Sequence, residues 1–414
     1  MATGTIETEP GPRADPPFPV SLAWMPRKLT ASASDSLDVI RAIAAFAVMF
    51  GHLRTLFFVD FQHLQSKSLP LQALYFFAGF GHQAVIVFFV LSGFLISSTV
   101  IRSHVLGKWS WRDYAVNRAT RLYVVLVPGL LLGFFWDRLG SWLFAAKGIY
   151  THTLSDLGTT VPLKNLALGT LFGNLLFLQT ILCETFGSNG PLWSLANEFW
   201  YYVLFPVALG AGLAWARVRL RVAIPLTCLA VFIGIFLGRE IMAGFLIWLA
   251  GCALVFFYSR VQLRSRTAAL GMLCFFSVLA GVSLAAARIR QWDPVLSDLE
   301  LGFVFTLFLF ALLQYEVRED SSPYSAVAHR FAGFSYSLYV LHFPLLLFFR
   351  SCLVPPERWQ PTPLRLLCAA SIGAGSLLYA WLVSRITEAK TDVARRWVNH
   401  LSDQAANIRN SLAR

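Results

Sequence analysis

The chain is poor in charge. Asp, Glu, Lys and Arg make up only 14% of its 414 residues, too few to clothe a soluble surface around the 57% that are apolar. That shortage excludes an ordinary soluble enzyme. Acidic residues are scarcer than basic ones, 22 against 34. The formal charge of +12 is nevertheless no nucleic-acid signal, because most basic residues fall in a few short loops between apolar runs, where membrane topology accounts for them. The six cysteines (Cys183, Cys228, Cys252, Cys274, Cys352 and Cys368) show neither C-x-x-C spacing nor close pairing, so they read as small core residues. There is no H-x-x-x-H or H-E-x-x-H string, and His52, His82 and His342 fall on separate segments; no metal is expected. His63, His82, His104 and His152 read as loop or helix-end residues.

What the chain has is a succession of apolar runs, which predicts an all-α polytopic membrane bundle of about ten transmembrane helices. Residues 1–35, rich in Pro, Ala and Ser, read as a disordered cytoplasmic tail and not as a cleaved signal. Spans are expected at about 36–58, 78–98, from the basic loop to about 136, then 190–213, 221–238, 243–258, 267–287, 298–315, 332–352 and 363–386. The membrane domain is thus 36–386, and 387–414 is a cytoplasmic tail. A shorter apolar stretch at 166–182 is not counted as a span. With a cytoplasmic amino terminus, the inside loops carry Arg102 to Arg121, Arg217 to Arg221, Arg260 to Arg266, then Arg318 and Arg330, and lastly Lys390, Arg395 and Arg396, as the positive-inside rule requires. Counting 166–182 would invert that pattern. Both termini are therefore expected in the cytoplasm.

The first span holds the most informative polar residues. Arg41 and His52 lie inside it, and at about 100° per residue they return to within roughly 20° of one face, about 16 Å apart along the axis. Ionisable groups in hydrocarbon usually face a bundle interior or a wet cavity, so this stripe is a candidate site. The plainer alternative is an arginine snorkelling to headgroups and a histidine bonding a neighbouring helix. By the same rise, His52 lies roughly 22 Å from the cytoplasmic face and Glu198 about 10 Å below the outer face of a core about 30 Å thick. The two depths match. An acid and an imidazole at one level form a possible base and orienter for activating a hydroxyl, although a buried carboxylate that only pairs with an arginine would fit as well. Arg118 and Arg121, spaced i and i+3, share a face at the cytoplasmic mouth of the third span, where Arg41 also opens. Three guanidiniums there suit phosphate or pyrophosphate, though topology alone also puts basic residues at such a mouth. His342, before the helix-kinking Pro344, reads as structural or functional alike. Ser92 and Trp193 are further candidates.

The strings L-D-V-I-R…G-H, F-F-V-L-S-G-F-L-I, N-R-A-T-R-L, P-L-W-S-L-A-N-E-F-W-Y-Y and F-S-Y-S-L-Y-V-L-H-F-P follow one another across about residues 36–350. In that order and spacing they resemble the acyltransferase type 3 family of bacterial membrane proteins. The resemblance implies a ten-helix domain in the cell inner membrane that moves acyl groups, often acetyl, from cytoplasmic acyl-CoA to hydroxyls of extracytoplasmic glycans or related acceptors. It puts Arg41 and His52 on the family's essential arginine and histidine, Arg118 and Arg121 on its R-x-x-R pair, and Glu198 on its W-S-L-x-x-E glutamate. Val39 and Ala42 replace glycines usual around the arginine, and Ala84-Val85-Ile86 stands where Gly-Val-Asp is frequent. The expected form is the standalone one, without a fused hydrolase-like domain. A secondary transporter of a small solute is the alternative from another class, but no two matching interrupted segments occur in the two halves.

Overall fold

The computed structural model describes residues 25–152, 161–289, 293–316, 324–355 and 357–412. Its helices are α1 (Ala31–Phe57), α2 (Leu69–Phe77), α3 (Gly81–Val105), α4 (Trp111–Leu143), α5 (Leu168–Leu175), α6 (Leu192–Ala216), α7 (Leu220–Arg260), α8 (Arg266–Ile289), α9 (Pro294–Tyr315), α10 (Ser325–Ala332), α11 (Ser335–Leu353), α12 (Pro363–Ile386) and α13 (Thr391–Leu412). Nine helical stretches among the described residues are long and apolar enough to cross a membrane. The fold is an all-α polytopic bundle.

The nine stretches and the ten expected spans differ in one element. Helix α7 has 41 residues, which drawn straight would reach about 60 Å, twice a hydrocarbon core of about 30 Å. It breaks at Gly238, whose φ of 75° and ψ of 177° belong to a region that only glycine enters cheaply. The two halves match the runs expected at 221–238 and 243–258. Helix α5, by contrast, has eight residues, about 12 Å of rise, and cannot span.

Helical structure reaches into both expected tails. Helix α1 begins at Ala31 and not at Ser36, because Thr30 caps it: Thr30 Oγ1 accepts the Ala33 N–H at 3.3 Å and donates to the Glu316 carbonyl at 2.8 Å. Upstream, the Arg27 N–H reaches Ser259 Oγ at 3.0 Å. Residues 1–24 of that tail, and Arg318, lie outside the described residues. At the other end, residues 391–412 form α13, which packs on α4. Arg395 Nη1 donates to Asn117 Oδ1 at 3.0 Å and Arg112 Nε to Ser402 Oγ at 3.1 Å.

Helices in lipid gain little from burying apolar surface against one another, so close contact needs small residues. The tightest contact is α3 on α7. A Cβ on Gly93 would stand 1.9 Å from the Trp248 carbonyl oxygen, and one on Gly251 2.1 Å from that of Val90. Two apolar clusters result. One joins α3, α4, α6, α7 and α9. The other packs Met49, Leu53 and Leu56 of α1 against Phe343, Leu346 and Leu347 of α11, with α12 alongside.

The open carbonyls ending α1 are met by basic side chains, as a helix carboxyl terminus favours. Arg350 Nη1 donates to the Leu56 carbonyl, and Arg358 Nη1 to that of Thr55 at 3.1 Å. Arg358 also pairs with Asp60. Burial pushes the Asp60 carboxyl up, but its bond to Arg358 and the charges of Arg358 and Arg54 outweigh this and hold it below the usual carboxylate range. The stability it adds is therefore present at neutral pH and is lost as acid carries it through that lowered value.

Gly93→Ala should force α3 from α7 and cost roughly 1–3 kcal/mol. Gly212→Ala, where a Cβ meets nothing within 4 Å, should be neutral or slightly stabilising. Thermal unfolding in detergent compares them, and equal midpoints would refute the close-packing account.

Candidate active site

Two cavities flank a common wall. The larger, about 450 Å³, is lined by Arg41 from α1, Ser92 from α3, Arg118 and Arg121 from α4, and Glu198 and Tyr202 from α6. Helical spacing explains the grouping: 118 and 121, like 198 and 202, are one turn apart and share a face. Arg41 is paired with Asp38 at 2.8 Å and lies within electrostatic reach of Arg121 and of Glu388. Arg118 lies over the rings of Tyr114 and Tyr202, at 5.8 and 5.9 Å. Its Nε is buried without a hydrogen-bond partner.

The carboxylate in that wall is held by a chain with a fixed direction. Trp248 Nε1, which can only donate, reaches Ser92 Oγ at 3.2 Å. Ser92 then gives its proton to Tyr202 Oη at 3.3 Å, and Tyr202 gives its own to Glu198 Oε1 in a short hydrogen bond. Every proton points toward Glu198. The acid is thus the terminal acceptor, with its second oxygen left for the cavity.

The smaller cavity, about 250 Å³, is lined by His52, Arg54, Thr55, His82 and Trp193. Val85 and Tyr339 line both cavities. His52 Nδ1 lies 2.8 Å from His342 Nε2, and His342 Nδ1 lies 2.9 Å from the Leu338 carbonyl oxygen. A carbonyl can only accept, so Nδ1 of His342 carries a proton; in the neutral pair its Nε2 is then the acceptor, and His52 donates through Nδ1. The lone pair of His52 is left on Nε2. Phe343 meets the His52 ring edge-on at 5.0 Å and Trp193 stacks on His82 at 6.2 Å.

Pro344 shapes this side of α11. It has no N–H, so the Val340 carbonyl one turn earlier loses its helical donor. Asn189 Nδ2 supplies the missing bond at 2.8 Å. The loop ahead of α6 is thereby tied to the helix that carries His342. Asp137 steadies the same loop, accepting from the backbone N–H and the hydroxyl of Ser188, each at 2.7 Å.

The family model described as an acyltransferase domain matches residues 34–385. The chain belongs to the acyltransferase type 3 family. It is 27% identical over 219 residues to the O-acetyl transferase of Shigella phage Sf6, covering 52% of this chain and 58% of that protein. It is 25% identical over 358 residues to the peptidoglycan O-acetyltransferase OatA of Listeria monocytogenes, covering 75% of this chain and 49% of the relative. The chain therefore spans about half the length of these curated relatives. No solved structure matches it.

In this member of the family Arg41, Arg118 and Arg121 line one cavity together, as expected. The expected pairing of Glu198 with His52 is not made: the two line different cavities, Glu198 is bonded by Tyr202, and His342 partners His52. Ser92 belongs to the Glu198 chain and Trp193 to the His52 cavity. Tyr202, Tyr339, Trp248, Asn189 and Arg54 are participants that the sequence reading missed. Among the described residues no three His, Cys, Asp or Glu side chains gather as a metal site.

If Asn189 substitutes for the N–H that Pro344 lacks, Asn189→Ala should cost about 1–3 kcal/mol. The same change should cost much less in a Pro344→Ala background, where the backbone N–H returns. A double-mutant cycle on unfolding midpoints reads the coupling, and additive effects would contradict the substitution.

Proposed function

We propose that the protein is an acyl-CoA-dependent O-acyltransferase of the cell inner membrane, which moves an acyl group, acetyl by the names of its relatives, to a hydroxyl of an extracytoplasmic glycan. The observation that carries this reading is the pair of cavities on either side of Val85 and Tyr339, one holding three arginines and the other His52. With both termini in the cytoplasm, the arginine cavity opens inward. Arg118, Arg121 and Arg41 would hold the phosphates of the donor in forked, charge-assisted contacts. The buried, unpartnered Arg118 Nε is a donor in want of such a ligand. From there the thin pantetheine arm needs to cover only the roughly 16 Å between Arg41 and His52 along α1.

At the partition the acceptor hydroxyl lies against His52 Nε2. That nitrogen takes the hydroxyl proton as the oxygen attacks the thioester carbonyl; the new C–O bond forms, the C–S bond breaks, and the proton passes to the departing thiolate. The His342 contact fixes which nitrogen is basic and which way the ring faces, and shares the positive charge that develops on the imidazole. Glu198, bonded on one side by Tyr202, is aimed into the donor cavity, where its free oxygen suits an amide N–H of the arm.

His52→Ala, inserted and stable, should lose transfer from labelled acetyl-CoA, by on the order of 10²-fold or more. His342→Gln, whose Oε1 can still accept from His52 Nδ1, should keep far more activity than His342→Leu. Equal rates for the two His342 variants would remove the tautomer argument.

The arginines are tested by binding. Arg118→Ala with Arg121→Ala should weaken acetyl-CoA affinity, and lysine at both positions should restore it only in part. Unchanged affinity in the double alanine variant would return these residues to topology alone.

A further inference from the structure

The mouth of the His52 cavity holds more positive charge than its architecture uses. Arg54, two positions beyond His52, lines that cavity. Its Nη1 donates to Asp60 Oδ1 at 3.3 Å and its guanidinium lies over the Tyr75 ring at 5.5 Å. Its Nε is buried without a hydrogen-bond partner. Asp60 is a divided counter-ion, because Arg358 engages both of its oxygens. A second guanidinium stands close by. Arg288, at the end of α8, lies against Gly79 in the cavity wall: a Cβ at Gly79 would be 2.5 Å from Arg288 Cζ. Its positive charge is also felt, weakly, at Arg54, and like charges that sense each other favour an anion between them.

Several other charged groups of this end have partners within the protein. Arg350 and Arg358 are spent on the carbonyls that end α1. Asp298 is engaged through both carboxylate oxygens by His82 Nε2, at 2.8 and 2.9 Å, so its charge is taken up within the protein. Arg54 is left in the cavity lining, and Arg288 lies behind its wall at Gly79, where it lines a neighbouring pocket with Tyr75 and Phe76. Topology works against basic residues on the outer side, where the proposed orientation puts this pair, so their position there calls for a ligand.

We propose that Arg54 and Arg288 bind an oxyanion of the acceptor, and that the glycan acylated at His52 carries a phosphate or a carboxylate near the reacting hydroxyl. The identity of the ligand as an acceptor rests on the acyl-transfer reading above; the anion site itself does not. The Nε edge of Arg54 supplies an N–H for a side-on contact, and Arg288 closes on the anion from across Gly79. A neutral sugar would leave the Nε of Arg54 without an anionic partner.

The test is calorimetric titration of the purified full chain in neutral-lipid nanodiscs. Saturating coenzyme A is present throughout, so that the arginine cavity cannot capture the probes. The probes are N-acetylglucosamine 1-phosphate, glucuronic acid and N-acetylglucosamine. At least one anionic sugar should bind about tenfold or more tightly than the neutral one. Preference for the phosphate points to a phosphate-linked glycan, and preference for the glucuronate to an acidic sugar within the chain. Arg288→Gln, at an exposed position, should abolish the preference, and Arg54→Gln should do the same if it folds. Equal or undetectable binding of all three sugars, or a preference that survives Arg288→Gln, would overturn the site. Acetyl-CoA affinity, measured separately, tests the donor reading: its loss in the wild type would sink that reading while the sugar titrations still judged the anion site.

Discussion

The contact on which the rest of the structure depends is the glycine-to-carbonyl approach of α3 and α7. At Gly93 and Gly251 the two helices touch through backbone, and that closeness puts Trp248 Nε1 on Ser92 Oγ. From this one donor-only group the protons of Ser92 and Tyr202 take their direction, ending on Glu198. A side chain at either glycine would part the helices and leave the chain of hydroxyls free to turn. The orientation of a carboxylate in α6 is therefore set by the absence of two methyl groups in other helices.

A second tie joins the two halves of the molecule. His52 and His342 are 290 positions apart in sequence, and each belongs to a helix whose end or middle lacks a normal backbone partner: α1 at its last carbonyls, α11 at Pro344. Arg350, Arg358 and Asn189 supply those partners. Where the imidazoles meet is thus fixed by repairs to irregular backbone on both sides. A proline in a transmembrane helix here acts as an anchor point for a loop, because the carbonyl that it frees must be satisfied in a medium without water.

The sequence states the fold plainly and the site incompletely, for physical reasons. Apolar run lengths mark the spans, and a break between two runs of one long helix is visible as Gly238. The stripe of Arg41 and His52 follows from the helical period, since both lie on one helix. Depth can also be counted residue by residue, which is how His52 and Glu198 are expected at similar levels. What counting cannot give is azimuth. Two groups at one level on different helices meet only if both helices are turned toward each other, and that rotation is decided by Gly93, Gly251 and the packing of α11 on α1. Tyr202 was within reach, because it stands one turn after Glu198 in the same string. His342 as the partner of His52, and Arg288 beside Arg54, depend on contacts between distant segments, which one sequence does not record.

A bundle with two cavities back to back is a weak point in an insulating sheet. The two cavities touch the same pair of side chains, Val85 and Tyr339, and Tyr339 is fastened by its hydroxyl to the Pro191 carbonyl at 3.0 Å and to Ser194 at 2.5 Å. Under the acyl transfer proposed above, such a bulkhead would let an acyl group reach the other side while denying passage to water and ions, since a standing voltage across the membrane acts on every charge that finds a continuous wet path. A smaller side chain at 339 would therefore burden the whole cell as well as the protein, by leaking the ion gradient on which its energy supply rests.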